Sequence, residues 1–147
     1  MGTVFEEITL RNMRDVSSAW AGRIKEQDIA SVTATAIVDT GAASLVINEE
    51  IFQKLGLQVR TERTARVADG RRVYCKVTEP VEVLWKNRGT SCEAMVIPGA
   101  EFVLLGAVAL EMMDLMVDPV NLKLVGVHGD DIELLALNIL ASNNPAA

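Results

Sequence analysis

One carboxylate lies at the end of a run of apolar and small residues, in the segment IVDTGA at positions 37–42. A carboxylate in such surroundings costs free energy unless it is paired, neutralised or hydrogen-bonded. Thr40 can both donate and accept a hydrogen bond, and Gly41 lets the backbone turn tightly without interference from a Cβ. The segment is therefore suited to holding Asp39 rigidly as a catalytic acid. An Asp that only caps a turn has the same local pattern.

Other residues that could do chemistry give weaker patterns. His128 precedes Asp130 and Asp131 and could contribute to a metal site, but a single His in a Gly-Asp-Asp segment is more typical of a solvated loop. Ser44 has no histidine nearby in sequence, which argues against a serine hydrolase. We expect neither a metal ion nor another cofactor.

Composition limits the class of protein. The chain has 147 residues, 50% of them hydrophobic, and a formal net charge of -6. We expect one compact domain whose negative field disfavours nucleic acids and anionic membrane surfaces. The sequence has neither an apolar run of membrane-spanning length nor a basic, apolar start typical of a signal peptide, so we expect a cytoplasmic protein. Cys75 and Cys92 are expected to be buried, reduced thiols.

The segments around Asp39 show strand periodicity. Residues 31–38 alternate and are rich in β-branched side chains, which places Asp39 where this strand ends. Apolar residues restart a strand at 45–47, and Asn48 is a candidate cap for a helix that Gly56 ends. Asp69-Gly70 is a strong turn signal between two extended runs and predicts a long hairpin.

The rest of the chain also reads mainly as short strands. Strands are predicted at 3–10, 92–97 and 102–105, followed by a short helix near 107–113 and a hairpin of 115–117 with 122–127. Pro80 should confine its strand to an edge or a bend. Residues 15–28 fit either a short amphipathic helix that begins at an aspartate cap or an irregular excursion. The pattern indicates an all-β class domain with closed or packed sheets.

These motifs together resemble the retropepsin-like aspartic proteases, the single-domain enzymes that are similar to half of a pepsin. The family pattern is an apolar pair before Asp-Thr/Ser-Gly-Ala/Ser and an apolar strand, then a flap hairpin, then two apolar residues followed by Gly and a short helix. Residues 37–47 match the first part and the hairpin around 68–70 matches the flap. The last part is matched by Leu104, Leu105 and Gly106. The match spans residues 32–125, in family order.

The resemblance implies a closed β barrel or sandwich with one or two short helices and a flap hairpin. It makes Asp39 the catalytic residue, supported by Thr40, Gly41 and Ala42. The expected flap and substrate-binding residues are Ala68, Asp69, Gly70, Arg71 and Arg72. Because the family's chemistry needs two facing aspartates and this chain has one DTG, the resemblance implies a homodimeric endopeptidase that acts on peptide or protein substrates through an Asp39/Asp39' dyad.

The chain departs from the retroviral pattern at two positions. Retroviral members usually have an acid after the first motif and an arginine after the later glycine, and the two side chains pair. Here the positions are Ala43 and Ala107, which leaves open a catalytically weak or inactive module for dimerisation or peptide binding. We expect the protease domain to occupy residues 1–127 and a C-terminal extension to occupy 128–147.

Five arginines cluster around the predicted flap. They fit a solvated sheet edge that discourages aggregation. In the alternative interpretation, Arg71 and Arg72 near the flap tip favour acidic groups on the substrate. The cluster consists of Arg60, Arg63, Arg66, Arg71 and Arg72.

Overall fold

A computed structural model of the protein describes residues 2–129. The described chain consists mainly of strands, with three short α-helices and one short 3₁₀ helix. The strands are β1 (Val4–Asn12), β2 (Ser31–Val38), β3 (Leu45–Ile47), β4 (Val59–Arg66), β5 (Arg72–Trp85), β6 (Arg88–Val96), β7 (Val103–Leu105), β8 (Leu115–Asp118) and β9 (Lys123–Gly126). The α-helices are α1 (Met13–Trp20), α2 (Glu49–Lys54) and α3 (Ala107–Met112), and the 3₁₀ helix is Glu26–Asp28.

Six strands close into a barrel. They follow the order β1-β2-β7-β3-β6-β5, and pairing of β1 with β5 closes the ring. Strand β4 extends from β5 outside the ring, and β8 and β9 form a separate hairpin. The expected all-β, closed architecture is confirmed, with three α-helices in the described residues rather than one or two.

Alternating side chains fill the barrel. In β1, Val4, Ile8 and Leu10 are buried while Phe5 and Glu7 are exposed. Complete burial of a side chain of this size contributes about 1.5–3 kcal/mol relative to exposure. This alternation of buried and more exposed side chains sets the orientation of β1, which pairs with β2 along the whole length of β2.

The first helix begins earlier than an aspartate cap would place it. Asn12 is the cap, because its buried side chain accepts hydrogen bonds from the backbone N–H groups of Arg14 and Asp15 and donates to the carbonyl of Leu55 at 2.9 Å. Asp15 instead accepts from the backbone of Ala30 at 3.0 Å. Of the two interpretations of residues 15–28, the helix applies only up to Trp20.

Strand β5 continues through Pro80 for 14 residues. Its register with β6 shifts between Val77 and Pro80, so the proline occupies an irregularity within the strand. The Thr78 hydroxyl donates to the carbonyl of Glu79 and accepts from the backbone of Ala94, which satisfies polar groups at the irregularity. The expected bend is therefore a local shift that does not end the strand. No helix in the described residues is both long and apolar enough to cross a bilayer.

Candidate active site

Asp39 directly follows β2, and the backbone fixes its position. Its N–H donates to the carbonyl of Leu105 at 3.0 Å, and its Oδ1 accepts from the N–H of Gly41 at 2.9 Å. The loop residues Asp39, Thr40 and Gly41 are exposed. Asp39 is thus held through both its backbone and its carboxylate, while the residue remains exposed to a ligand.

The Leu104-Leu105-Gly106 motif lies directly beside this loop. Strand β7 pairs in parallel with β2 and in antiparallel fashion with β3, so it joins the strands before and after the loop. A Cβ at Gly106 would lie 2.6 Å from the carbonyl oxygens of both Ala42 and Ser44. Only glycine allows this approach, because those atoms belong to the backbone.

The start of α3 completes the support of the loop. The N–H of Ala107 donates to the carbonyl of Ala42 at 2.7 Å, and the N–H of Val108 donates to the carbonyl of Ala43 at 3.3 Å. Two N–H groups of the first helical turn, which have no partner inside a helix, are used in this way. Backbone hydrogen bonds therefore join the loop to the start of α3, at the positions 43 and 107 or directly next to them, where retroviral members usually have a charged pair.

A cleft of about 630 Å³ lies between the Asp39 loop and the hairpin of β4 and β5. Asp39, Gly41 and Ala42 lie on one side, and residues 65–68 lie on the other. Most of the remaining lining is apolar, including Val46, Met95, Ile97, Phe102 and Leu104. Among the described residues, Asp39 is the only carboxylate that lines this space, which we call the Asp39 cleft.

The predicted flap is a hairpin with a tight tip. Gly70 has φ +88°, a conformation that L side chains rarely adopt, and its N–H donates to the carbonyl of Val67 at 2.9 Å. Arg71 donates from its backbone N–H and from Nε to the Asp69 carboxylate, and these bonds lower the pKa of Asp69. The tip is thus stabilised within itself.

The flap residues occupy two environments. Ala68 lines the Asp39 cleft, whereas Asp69, Gly70, Arg71 and Arg72 are exposed and do not line it. Arg66 is the cation that lines it. From the sequence, Arg66 could be assigned only to the arginine cluster, because its place in the cleft depends on the register of β4.

Arg88 is a buried residue with a structural role that its place in the sequence does not reveal. It begins β6 and donates from Nη1 to the carbonyls of Met113 and Asp114, at 2.9 Å each. It thereby anchors the end of α3, the helix whose start supports the Asp39 loop. Its neighbours Asn87 and Gly89 suggest a turn, and no local signal marks it as buried.

The remaining candidates do not form a metal site in the described residues. His128 Nδ1 lies 2.7 Å from Asp114 Oδ1. The hydrogen bond with His128 is the main cause that lowers the pKa of Asp114, and the charge of Arg88 has a smaller effect in the same direction. Asp130 and Asp131, like most of the predicted extension, lie outside the described residues.

Both cysteines are free, and the expected burial holds fully for Cys75 only. Cys75 is buried and Cys92 is partly buried. Burial raises the pKa of the Cys75 thiol, and burial together with the nearby Glu93 raises the pKa of Cys92 to about 11. Neither thiol is therefore ionised enough near neutral pH to act as a ready nucleophile.

Comparison with known proteins places this geometry in a family. Comparison with curated protein sequences gave no match. A solved structure of the retroviral protease-like domain of Ddi1 from Leishmania major is similar in fold, with a TM-score of 0.54 and 18% sequence identity over 90% of this chain and 91% of that one. The family model described as gag-polyprotein putative aspartyl protease matches residues 25–112. This match spans the strand before Asp39, the cleft and the Gly106 motif, and the chain therefore belongs to this retroviral-type, retropepsin-like aspartyl protease family.

Proposed function

We propose that the protein is a homodimeric aspartic endopeptidase in which Asp39 of each protomer contributes to one active site. The observation that carries the proposal is the placement of Asp39. Its carboxylate is exposed, accepts a hydrogen bond from the backbone N–H of Gly41, and is the only acid of residues 2–129 that lines a largely apolar cleft. Such a cleft can bind a peptide while leaving the carboxylate free to act.

Two facing Asp39 carboxylates would share one proton, since two adjacent negative charges are costly. The ionised member takes a proton from a bound water as the water oxygen attacks the peptide carbonyl carbon. The protonated member donates a hydrogen bond, and then its proton, to the carbonyl oxygen, which gives a tetrahedral diol. The C–N bond then breaks as the nitrogen takes a proton from one carboxyl group of the dyad and a hydroxyl of the diol returns its proton to the other. The products are an acid and an amine, the dyad again holds one proton, and no covalent enzyme intermediate forms.

The supporting residues follow from the same arrangement. Gly41 holds one carboxylate oxygen of Asp39, and Ala42 links the loop to α3. The Thr40 side chain makes no hydrogen bond within residues 2–129, so it is free to contact the partner's loop in the proposed dimer. A two-fold axis beside the loop brings the same surface of both protomers together.

The β4–β5 hairpin is the proposed flap. Strand β4 is at the end of the sheet, so one of its edges is unpaired among the described strands. An extended peptide in the cleft can add backbone hydrogen bonds to such an edge. Closure of the tip over the peptide would exclude water from the reacting groups.

The alternative function is peptide binding without appreciable hydrolysis. Ala43 and Ala107 favour it, because the charged pair usual in retroviral members is absent and backbone hydrogen bonds join the loop to the start of α3 instead. We favour the enzyme because those bonds already hold the loop and because Asp39 is present. The two functions differ in whether the wild-type protein cleaves the peptides that it binds.

The proposal is tested with Asp39→Asn, which removes the ionisable group while keeping the side-chain shape. We expect cleavage of a peptide library, followed by mass spectrometry, to fall by at least about a thousandfold, since neither proton transfer remains. The matched control is Asp28→Asn, an exposed aspartate of the 3₁₀ helix outside the cleft. A well-folded Asp39→Asn protein that cleaves at the wild-type rate would exclude Asp39 as the catalytic acid.

A further inference from the structure

A second cavity, of about 260 Å³, adjoins the Asp39 cleft. The two spaces share Ala43, Ser44 and Met95 in their walls. We call the smaller one the side pocket. An extended ligand bound along the Asp39 loop can therefore place one of its side chains in the side pocket without leaving the protein surface.

The side pocket has one cation without a carboxylate partner in the described structure. Arg63 lines it and forms no ion pair with any residue in 2–129. Among those same residues, Glu93 is the only acid in the lining, and it already pairs with Arg60. The charge of Arg63 is thus available to a ligand.

Arg63 is one of four arginines that have no carboxylate partner within residues 2–129, and the other three are Arg23, Arg66 and Arg72. Five of the nine arginines, all of which are within the described residues, pair with a carboxylate. They are Arg11, Arg14, Arg60, Arg71 and Arg88. Of the four that have no such partner within residues 2–129, Arg63 is the one that lines the side pocket.

The register of the hairpin places Arg63, which is itself exposed, on the same face as two buried residues. Arg63 is directly opposite Cys75, and residues at opposite positions of an antiparallel pair share a face. Cys75 and the next residue on that face, Val77, are both buried. Val77, Leu45 and Ala109 give the pocket an apolar floor, which strengthens an ion pair by lowering the local dielectric constant.

We propose that the side pocket is a substrate subsite that selects an aspartate or glutamate side chain, with Arg63 as its specificity-determining residue. The guanidinium donates two hydrogen bonds to the carboxylate, a geometry that suits arginine better than lysine. The proposal rests on the proposed function of the Asp39 cleft and names a substrate class for it: peptides that carry an acid near an apolar segment.

The test uses decapeptides with Leu-Phe at the centre and Glu, Gln or Lys placed singly at each flanking position. Binding is measured by fluorescence anisotropy in the Asp39→Asn background, and cleavage is measured with Asp39 intact. We expect Glu at one position to bind about fivefold more tightly than Gln, as one partly exposed, charge-assisted contact would give. Higher salt should reduce this preference.

Arg63→Gln should abolish the preference, and Arg63→Glu should reverse it towards Lys. Arg23→Gln is the matched control, because it makes the same change in net charge at an exposed residue that lines neither cavity. A preference that is absent, or that Arg63→Gln leaves unchanged, overturns the inference.

The two measurements separate the two proposals. Cleavage without a Glu preference contradicts the subsite alone. Arg63-dependent binding without wild-type cleavage supports the subsite and contradicts the endopeptidase. If no peptide in the set is either bound or cleaved, both proposals fail.

Discussion

At the scale of single residues, the position of the Asp39 loop depends on close packing between its backbone and Gly106. Gly106 has φ −91°, an ordinary value, so its requirement for glycine is purely steric. The carbonyls of Ala42 and Ser44 leave no room for a Cβ there. The loop, β7 and α3 meet at this glycine, and a shift at any one of them moves the carboxylate.

Gly106→Ala should therefore lower both stability and activity. We expect a loss of about 1–3 kcal/mol in the free energy of unfolding, as for other overpacked sites, and a larger relative loss of cleavage. Gly89→Ala is a milder control, because its closest contact is the flexible end of the Leu84 side chain. Urea unfolding and peptide cleavage measure the two effects. Wild-type stability and activity in Gly106→Ala would contradict this packing.

At the scale of elements, strands with strong period-two patterns were predicted well. Strands β2 and β3 have the bounds expected, and Asn48 caps α2 by accepting from the N–H of Ile51. These elements are specified locally, by β-branched alternation and a capping side chain.

Features that depend on distant contacts were predicted less well. The cap of α1 is Asn12 rather than an aspartate. Asn12 is buried at the end of β1, where its side-chain amide also donates to the carbonyl of Leu55, 43 residues along the chain. Barrel closure between β1 and β5 and the burial of Arg88 likewise require the assembled fold. In the site, the resemblance supplied Asp39 and Gly106, but the positions of Arg63 and Arg66 along the cavities required the register of β4.

A substitution at the hairpin tip tests whether the β4–β5 hairpin acts as a flap. A Cβ added at Gly70 would have no described atom within 4 Å, so Gly70→Val acts only by disfavouring the φ of +88°. We expect a cost of about 1–2 kcal/mol in the turn and an altered KM or kcat, because the tip must close over substrate.

Gly22→Val is the matched control for Gly70→Val. Gly22 has φ +74° and is equally unobstructed, but it follows α1 and is not part of the β4–β5 hairpin. The two variants should lose similar stability, and only Gly70→Val should change the kinetics. Unchanged kinetics in a folded Gly70→Val protein would remove the flap assignment.

At the scale of the whole molecule, the proposed chemistry is divided between two chains. Within residues 2–129 of one chain, the Asp39 cleft contains a single carboxylate, whereas the proposed dyad needs two. The loop that bears it is exposed and thus available to a symmetric partner. Activity should therefore depend on which chains pair, and a mixture of two chains can show this dependence.

Wild-type and Asp39→Asn chains are mixed at fixed total concentration and left until subunits have exchanged. Random pairing at equal amounts leaves about one quarter of the dimers with both acids, whereas independent monomers would keep about half of the activity. Mixed dimers have one carboxylate and one amide, so they lack the shared proton and contribute little. A plot of cleavage rate against wild-type fraction should curve upward, close to the square of the fraction. The same series with Asp28→Asn should stay flat, and a straight line through the origin for Asp39→Asn would mean that each chain works alone.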